Sequence, residues 1–127
     1  MYGFSKKLTL AYDEAIEKVK AALQDEGFGV LTEIDVKATI KKKLDKDFRK
    51  YIILGACNPP IAYRALSEEI EIGLLLPCNV IVYENDDGGT TVSVVNAAKM
   101  LSVVEREELG PMAEEVNGKL RKVLEAI

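Results

Sequence analysis

A chain of 127 residues, 48% hydrophobic and 30% charged, has the size and balance of one globular domain covering residues 1–127. It has no His, which excludes Ser–His and Cys–His nucleophile pairs and any zinc site built on imidazole. Its net charge is −4, and the lack of Trp with only three Phe and five Tyr stocks a base-stacking platform poorly, so nucleic acid is not an expected partner.

Phe4 to Leu10 alternates, with Phe4, Lys6, Leu8 and Leu10 on one parity, and predicts a half-buried strand in which Lys6 is the exception. Ala15, Ile16, Val19, Ala22 and Leu23 then recur at three and four residues and predict a helix from about Ala11 to Glu26. Gly27 stops that helix, because glycine accepts the left-handed conformation that closes a helix end. Phe28 to Ile34 reads as a strand, with Gly29 marking a bulge or a close backbone contact. Asp35 is placed to cap a second helix, in which Val36, Ile40 and Leu44 form a narrow apolar stripe.

That helix and its exit are basic. Residues 37–50 hold six Lys and one Arg against Asp45 and Asp47, a local +5 that leaves −9 for the rest of the chain. Such a run is read first as a solvated face, with anion binding as the alternative. Phe48 to Ala56 is the third predicted strand. Its apolar run, Tyr51 to Ala56, suggests a central place covered on both faces.

Asn58 can cap a third helix, with Pro59 at its first position, where the missing N–H costs nothing. Ala62, Ala65, Leu66 and Ile70 are its predicted inner face, and Gly73 breaks the pattern. Asn79 to Glu84 and Thr90 to Asn96 flank the turn signal Asn85-Asp86-Asp87-Gly88-Gly89 and predict an antiparallel hairpin. Ala97 to Val104 reads as an apolar connector. A last helix runs from about Glu105 to Ala126, kinked at Gly110-Pro111, with Met112, Val116, Leu120, Val123, Leu124 and Ile127 on its apolar face.

The two cysteines are Cys57 and Cys78, and each is followed by Asn, as Cys57-Asn58 and Cys78-Asn79. These four residues are the candidate ligand-binding site. Cys57 is also the candidate catalytic residue, because a thiol beside a helix start feels unpaired backbone N–H groups that favour the thiolate. Three chemistries fit the pair: thiol–disulfide switching, soft-metal binding, and a small-ligand pocket in which thiols are only lining. Two Cys are too few for a closed zinc site, so a metal would draw on a second copy or on Glu71 as an oxygen ligand. Against all three stands the reading of both cysteines as small buried hydrophobes. Tyr63 and Arg64 are placed to border a cleft near them.

Gly55-Ala56-Cys57-Asn58-Pro59-Pro60-Ile61-Ala62 and Glu71-Ile72-Gly73-Leu74-Leu75-Leu76-Pro77-Cys78-Asn79-Val80 resemble the signature of domain-of-unknown-function family 302, small bacterial and archaeal proteins. The similarity extends over nearly the whole chain, including Gly27-Phe28-Gly29-Val30-Leu31-Thr32-Glu33-Ile34-Asp35. The resemblance implies a single α+β domain with a fold like one repeat of the TATA-box-binding protein, paired as a homodimer. It implies no activity.

The expected fold is therefore α+β: a mainly antiparallel five-stranded sheet with helices packed on it. The expected function is a small-molecule-binding or sensing module. The alternatives are a thiol-dependent redox enzyme using Cys57 and Cys78, and a structural or partner-interaction homodimer with core cysteines. Met1 to Lys7 lead into no apolar h-region and no apolar run reaches the roughly 18 residues of a membrane span, so a cytoplasmic location with no membrane partner is expected.

Overall fold

The computed structural model describes residues 1–127. Five strands form one antiparallel sheet: β1 (Gly3–Leu8), β2 (Gly29–Asp35), β3 (Tyr51–Cys57), β4 (Cys78–Glu84) and β5 (Thr90–Val95), in the spatial order β1-β5-β4-β3-β2. Five helices connect and cover it: α1 (Tyr12–Asp25), α2 (Val36–Leu44), α3 (Pro59–Glu68), α4 (Ala97–Leu101) and α5 (Leu109–Ala126). Short 3₁₀ segments follow α3, at Ile70–Leu75, and α4, at Ser102–Val104. The topology is α+β, and the TATA-box-binding-protein-like repeat implied by the resemblance is compatible with it.

The core lies between one face of the sheet and the long helices. Ala15, Val19 and Leu23 of α1, and Val116, Leu120 and Val123 of α5, pack with Leu54, Val80, Val82, Val92 and Val94. The predicted apolar faces of both helices are therefore the buried ones. Lys6 occupies a core-facing position on the edge strand β1. Its stem lies along the sheet while Nζ donates to the Leu124 and Ile127 backbone oxygens, at 2.9 and 3.2 Å. An ammonium at the C-terminal end of α5 meets the backbone oxygens of the last turn and the negative end of the helix dipole. That resolves the one break in the alternation of β1.

Several expectations need correction. β3 is an interior strand, but its second face is covered only at one end: Ile52, Leu54 and Ala56 are buried on the core face and Gly55 on the other, against Thr32 and Pro77, while Tyr51 and Ile53 are half-exposed. The bulge falls two residues beyond Gly29. Val30 pairs with Ala56 and Thr32 with Gly55, so Leu31 is the extra residue and its side chain is 67% exposed. The stripe on α2 is not a core face. None of its residues is buried and Leu44 is 63% exposed. This helix is held by polar contacts instead: Asp35 accepts the Ala38 N–H at 2.9 Å, and Lys37 donates to the Phe48 carbonyl at 2.7 Å.

The connector after β5 is the short helix α4, capped by Asn96. Met100, Leu101 and Val104 pack inward from it and its 3₁₀ extension, and only Val103 is largely exposed. Glu105 takes a left-handed conformation (φ 56°) that separates this segment from α5. Because α5 begins at Leu109, Pro111 falls in its first turn, where no intrahelical donor is lost, and the expected kink has no cause there. No helix is long and apolar enough to cross a membrane.

Candidate functional site

The β3–β4 register decides where the two Cys-Asn pairs meet. Ala56 pairs with Cys78 and Gly55 with Asn79, so Cys57 and Cys78 sit at the same end of two neighbouring strands. Gly55 makes the approach possible. A Cβ there would collide with the Thr32 hydroxyl and come within 2.7 Å of the Pro77 ring. Bare backbone at Gly55 lets Pro77 lie over β3, beside the residue that enters β4 as Cys78.

The chain leaves β3 through Asn58, whose Oδ1 accepts the Ile61 N–H at 3.4 Å as the cap of α3. Its Nδ2 reaches the Glu26 carbonyl at 3.4 Å and lies against Gly27. Gly27 has φ +84°, and a Cβ there would meet Asn58 Nδ2 at 3.1 Å. One asparagine thus ties the end of α1 to the start of α3. Its side chain is engaged structurally on both sides of the amide.

From this corner α3 runs outward, the 3₁₀ segment returns, and α4 and α5 close the far side. Between them lies a cavity of about 330 Å³. Ile61, Ala65 and Leu66 of α3 line it together with Ile72 and Leu76 of the 3₁₀ segment and its exit, and so do Met100 and Met112. Cys57 and Cys78 both line it. No charged side chain does; Asn58 and the thiols are the polar groups. Leu31, the bulged residue of β2, also lines it.

The two thiols differ. Cys57 is half-buried, whereas Cys78 is 8% exposed and belongs to the main core. Burial, with a smaller contribution from the neighbouring Cys57, pushes the Cys78 thiol from 9.0 up to about 11. Desolvation disfavours the thiolate, and a second thiolate nearby would disfavour it further.

Three of the four expected site residues come together, and one does not. Asn79 is exposed and lies outside the cavity lining, because strand alternation turns it to the sheet face opposite Cys78. Glu71 is exposed on the 3₁₀ segment and is also absent from the lining. No three His, Cys, Asp or Glu side chains are grouped to hold a metal ion, so an oxygen ligand from Glu71 finds no partners here. Tyr63 and Arg64 point to the outer side of α3. Arg64 pairs with Glu115 of α5 at 2.8 Å, and both residues border a shallow polar groove instead of the apolar cavity.

Ile70, expected on the inner face of α3, is 78% exposed beyond the end of that helix, and Ile61 is buried in its stead. The lysines of α2 are exposed. Lys41 is paired with Asp45 at 3.0 Å and Asp47 at 3.8 Å. The methionines of the cavity carried no sequence signal of their own beyond apolar character, because the segments that present them are 22 and 34 residues beyond Cys78 in the chain.

The family described as domain of unknown function DUF302 matches residues 4–127. The chain belongs to the DUF302 family. An uncharacterized conserved DUF302 protein from Bacillus stearothermophilus, known from its crystal structure, is similar to it at a TM-score of 0.92 and 28% sequence identity, over 99% of this chain and 98% of that one. No curated protein matches the chain. Membership of DUF302 thus covers the whole domain, including both strand ends and the helices that enclose the cavity, and brings no activity with it.

Proposed function

We propose that this DUF302 protein is a small-molecule-binding or sensing module whose site is the apolar cavity beside Cys57 and Cys78. The observation that carries the reading is the cavity itself: about 330 Å³, lined almost wholly by apolar side chains, with two thiols and one asparagine amide as its polar points. Protein interiors leave few voids larger than a water molecule. Ligand sites are typically concave, apolar and furnished with a few placed polar groups. By the ~30 Å³ share of one water, the space admits roughly ten water-sized groups, the size of a small neutral organic molecule. The absence of charge from the walls excludes a carboxylate or phosphate as the buried end of that molecule, since an unpaired buried charge is costly.

The test is titration of the full chain with the neutral fluorophore 1-aminoanthracene. The expected result is saturable binding with one probe per chain. Ala62→Leu, which adds bulk to the wall on α3, should weaken it while the fold persists by circular dichroism. Absence of saturable binding, or binding untouched by Ala62→Leu, overturns the reading.

A thiol-dependent redox reaction is the second reading, favoured by one observation: Cys57 and Cys78 line the same cavity from adjacent strand ends. It predicts that mild oxidation of the full chain joins the two residues and that dithiothreitol reverses this. Oxidation that yields only intermolecular products would sink it.

A further inference from the structure

The chain contains two Cys and three Met. Four of these five sulfur-bearing residues, Cys57, Cys78, Met100 and Met112, line the one cavity, and the fifth, Met1, is almost fully exposed. The four come from different elements: the end of β3, the start of β4, α4 and α5. No imidazole, carboxylate or amine lines the same walls.

We infer that the cavity is a binding site for a soft monovalent cation, Cu(I), held by the Cys57 and Cys78 sulfurs with Met100 and Met112 as thioether ligands. The inference rests on the reading of this cavity as a binding site and names a ligand class for it. Soft thiolate and thioether donors select Cu(I), whereas carboxylate, carbonyl and water donors suit Mg²⁺, Ca²⁺ and Mn²⁺. Structural zinc sites are closed by four Cys or His ligands, and this set has two Cys and no His.

Methionine side chains are flexible and polarizable, so the two thioethers can swing toward an ion without displacing the backbone of α4 or α5. Each thiol that ligates passes its proton to water, and copper remains Cu(I) throughout. Binding therefore releases protons and tightens as pH rises.

The test uses the full chain under anaerobic conditions, with Cu(I) supplied as its bicinchoninate complex. The expected result is transfer of one Cu(I) per chain, with protons released. The Cys57→Ser, Cys78→Ser double variant should lose the transfer. Met100→Leu with Met112→Leu conserves side-chain volume and should keep the melting temperature close to wild type. The same double variant should weaken Cu(I) affinity by at least roughly tenfold, a change of about 1.4 kcal/mol.

Equal affinity in the methionine double variant overturns the four-sulfur site. Failure of the wild type to take copper from the chelator overturns the inference altogether. Aminoanthracene titration of the same variants separates the two readings. Probe binding without copper binding leaves the apolar site standing and sinks this one. Copper binding that depends on all four sulfurs, without probe binding, does the reverse.

Discussion

Asn117 donates from Nδ2 to Asn96 Oδ1 at 3.0 Å, and its own Oδ1 accepts the Ala97 N–H at 2.7 Å. This one side chain, 2% exposed, fastens the cap of α4 to the middle of α5. Those are the helices that carry Met100 and Met112 into the cavity wall. The contact is a buried polar network with both ends satisfied, the state in which such a network stabilises and specifies packing.

Asn117→Leu removes both partners' hydrogen bonds and leaves the Ala97 N–H buried and unpaired. An orphaned buried donor costs roughly 1–3 kcal/mol, so the variant should lose about that much in urea denaturation. Asn96→Asp keeps an acceptor for both Asn117 and the Lys99 N–H and should change stability far less. Equal stability of Asn117→Leu and wild type would show that the network contributes nothing.

Cys57 is expected to alkylate faster than Cys78 in the native state at neutral pH. Cys57 is half-buried at the start of α3, whereas Cys78 is a core residue whose thiol is pushed up to about 11. Access favours Cys57, and burial holds back the thiolate of Cys78. Iodoacetamide labelling read by mass spectrometry should show a fast phase that Cys57→Ser removes and Cys78→Ser leaves. Equally slow labelling of both, accelerated only by denaturant, would place both thiols with the core.

The raised Cys78 value fixes the sign of a pH dependence. The native thiol titrates near 11 against 9.0 when unperturbed, with burial as the first cause. Below pH 9 both states hold the proton and its stabilising effect is fully present. As pH rises from 9 to 11 the unfolded chain releases the proton first, and stability falls. Tyr12, raised by burial from 10.0 to about 12, continues the fall between those values. By the linkage relation the Cys78 part is of order 2–3 kcal/mol in all. Thermal melts of Cys78→Ala, compared with wild type from pH 8 to 11, should show a shallower decline. A parallel decline would mean that Cys78 is not the group responsible.

Local signals made most of the fold legible. The periods of α1 and α5, the cap at Asp35, the stop at Gly27 and the Asn85–Gly89 turn all depend on neighbours within a few residues. Cys57 and Cys78 were recognisable as a pair because each precedes Asn, and their meeting followed from strand adjacency. What was hidden depends on distant partners. Nothing local shows that Lys6 ends on α5, that Asn117 reaches Asn96, or that Met100 and Met112 face the thiols. Asn79 was misplaced for a related reason: its neighbour Cys78 faces the core, and in a strand the next residue must face the other way. The stripe on α2 has the right period, but the helix follows the exposed edge strand β2 and none of its residues is buried.

Gly118 lies in the interior of α5, exposed, with open space around the position a Cβ would take. Glycine there carries an entropic cost and offers no compensating contact. Gly118→Ala should stabilise the protein by up to roughly 1 kcal/mol and raise the denaturation midpoint without changing the slope. A drop in stability would indicate a neighbour that needs the glycine, such as a second chain on this face of α5.

The uncovered face of the sheet motivates the last prediction, a homodimer. Ile34, Ile53 and Ile81 stand side by side across β2, β3 and β4. The same row continues through Ser93 to Ser5, whose hydroxyls lie 2.7 Å apart. Tyr51 and Tyr83 stack beside it at 5.4 Å. The solvent face of an antiparallel sheet normally carries polar residues, and three adjacent isoleucines depart from that. The row has no charged residue, so a second copy can meet it across a two-fold axis without like-charge repulsion, which a chain of net charge −4 would otherwise meet. Light scattering should give twice the chain mass at micromolar concentration. Ile81→Lys, which changes a half-exposed position and leaves the core face intact, should give the monomer mass with the fold retained. A monomer mass for the wild type throughout that range, or a dimer unaffected by Ile81→Lys, would rule this face out as the interface.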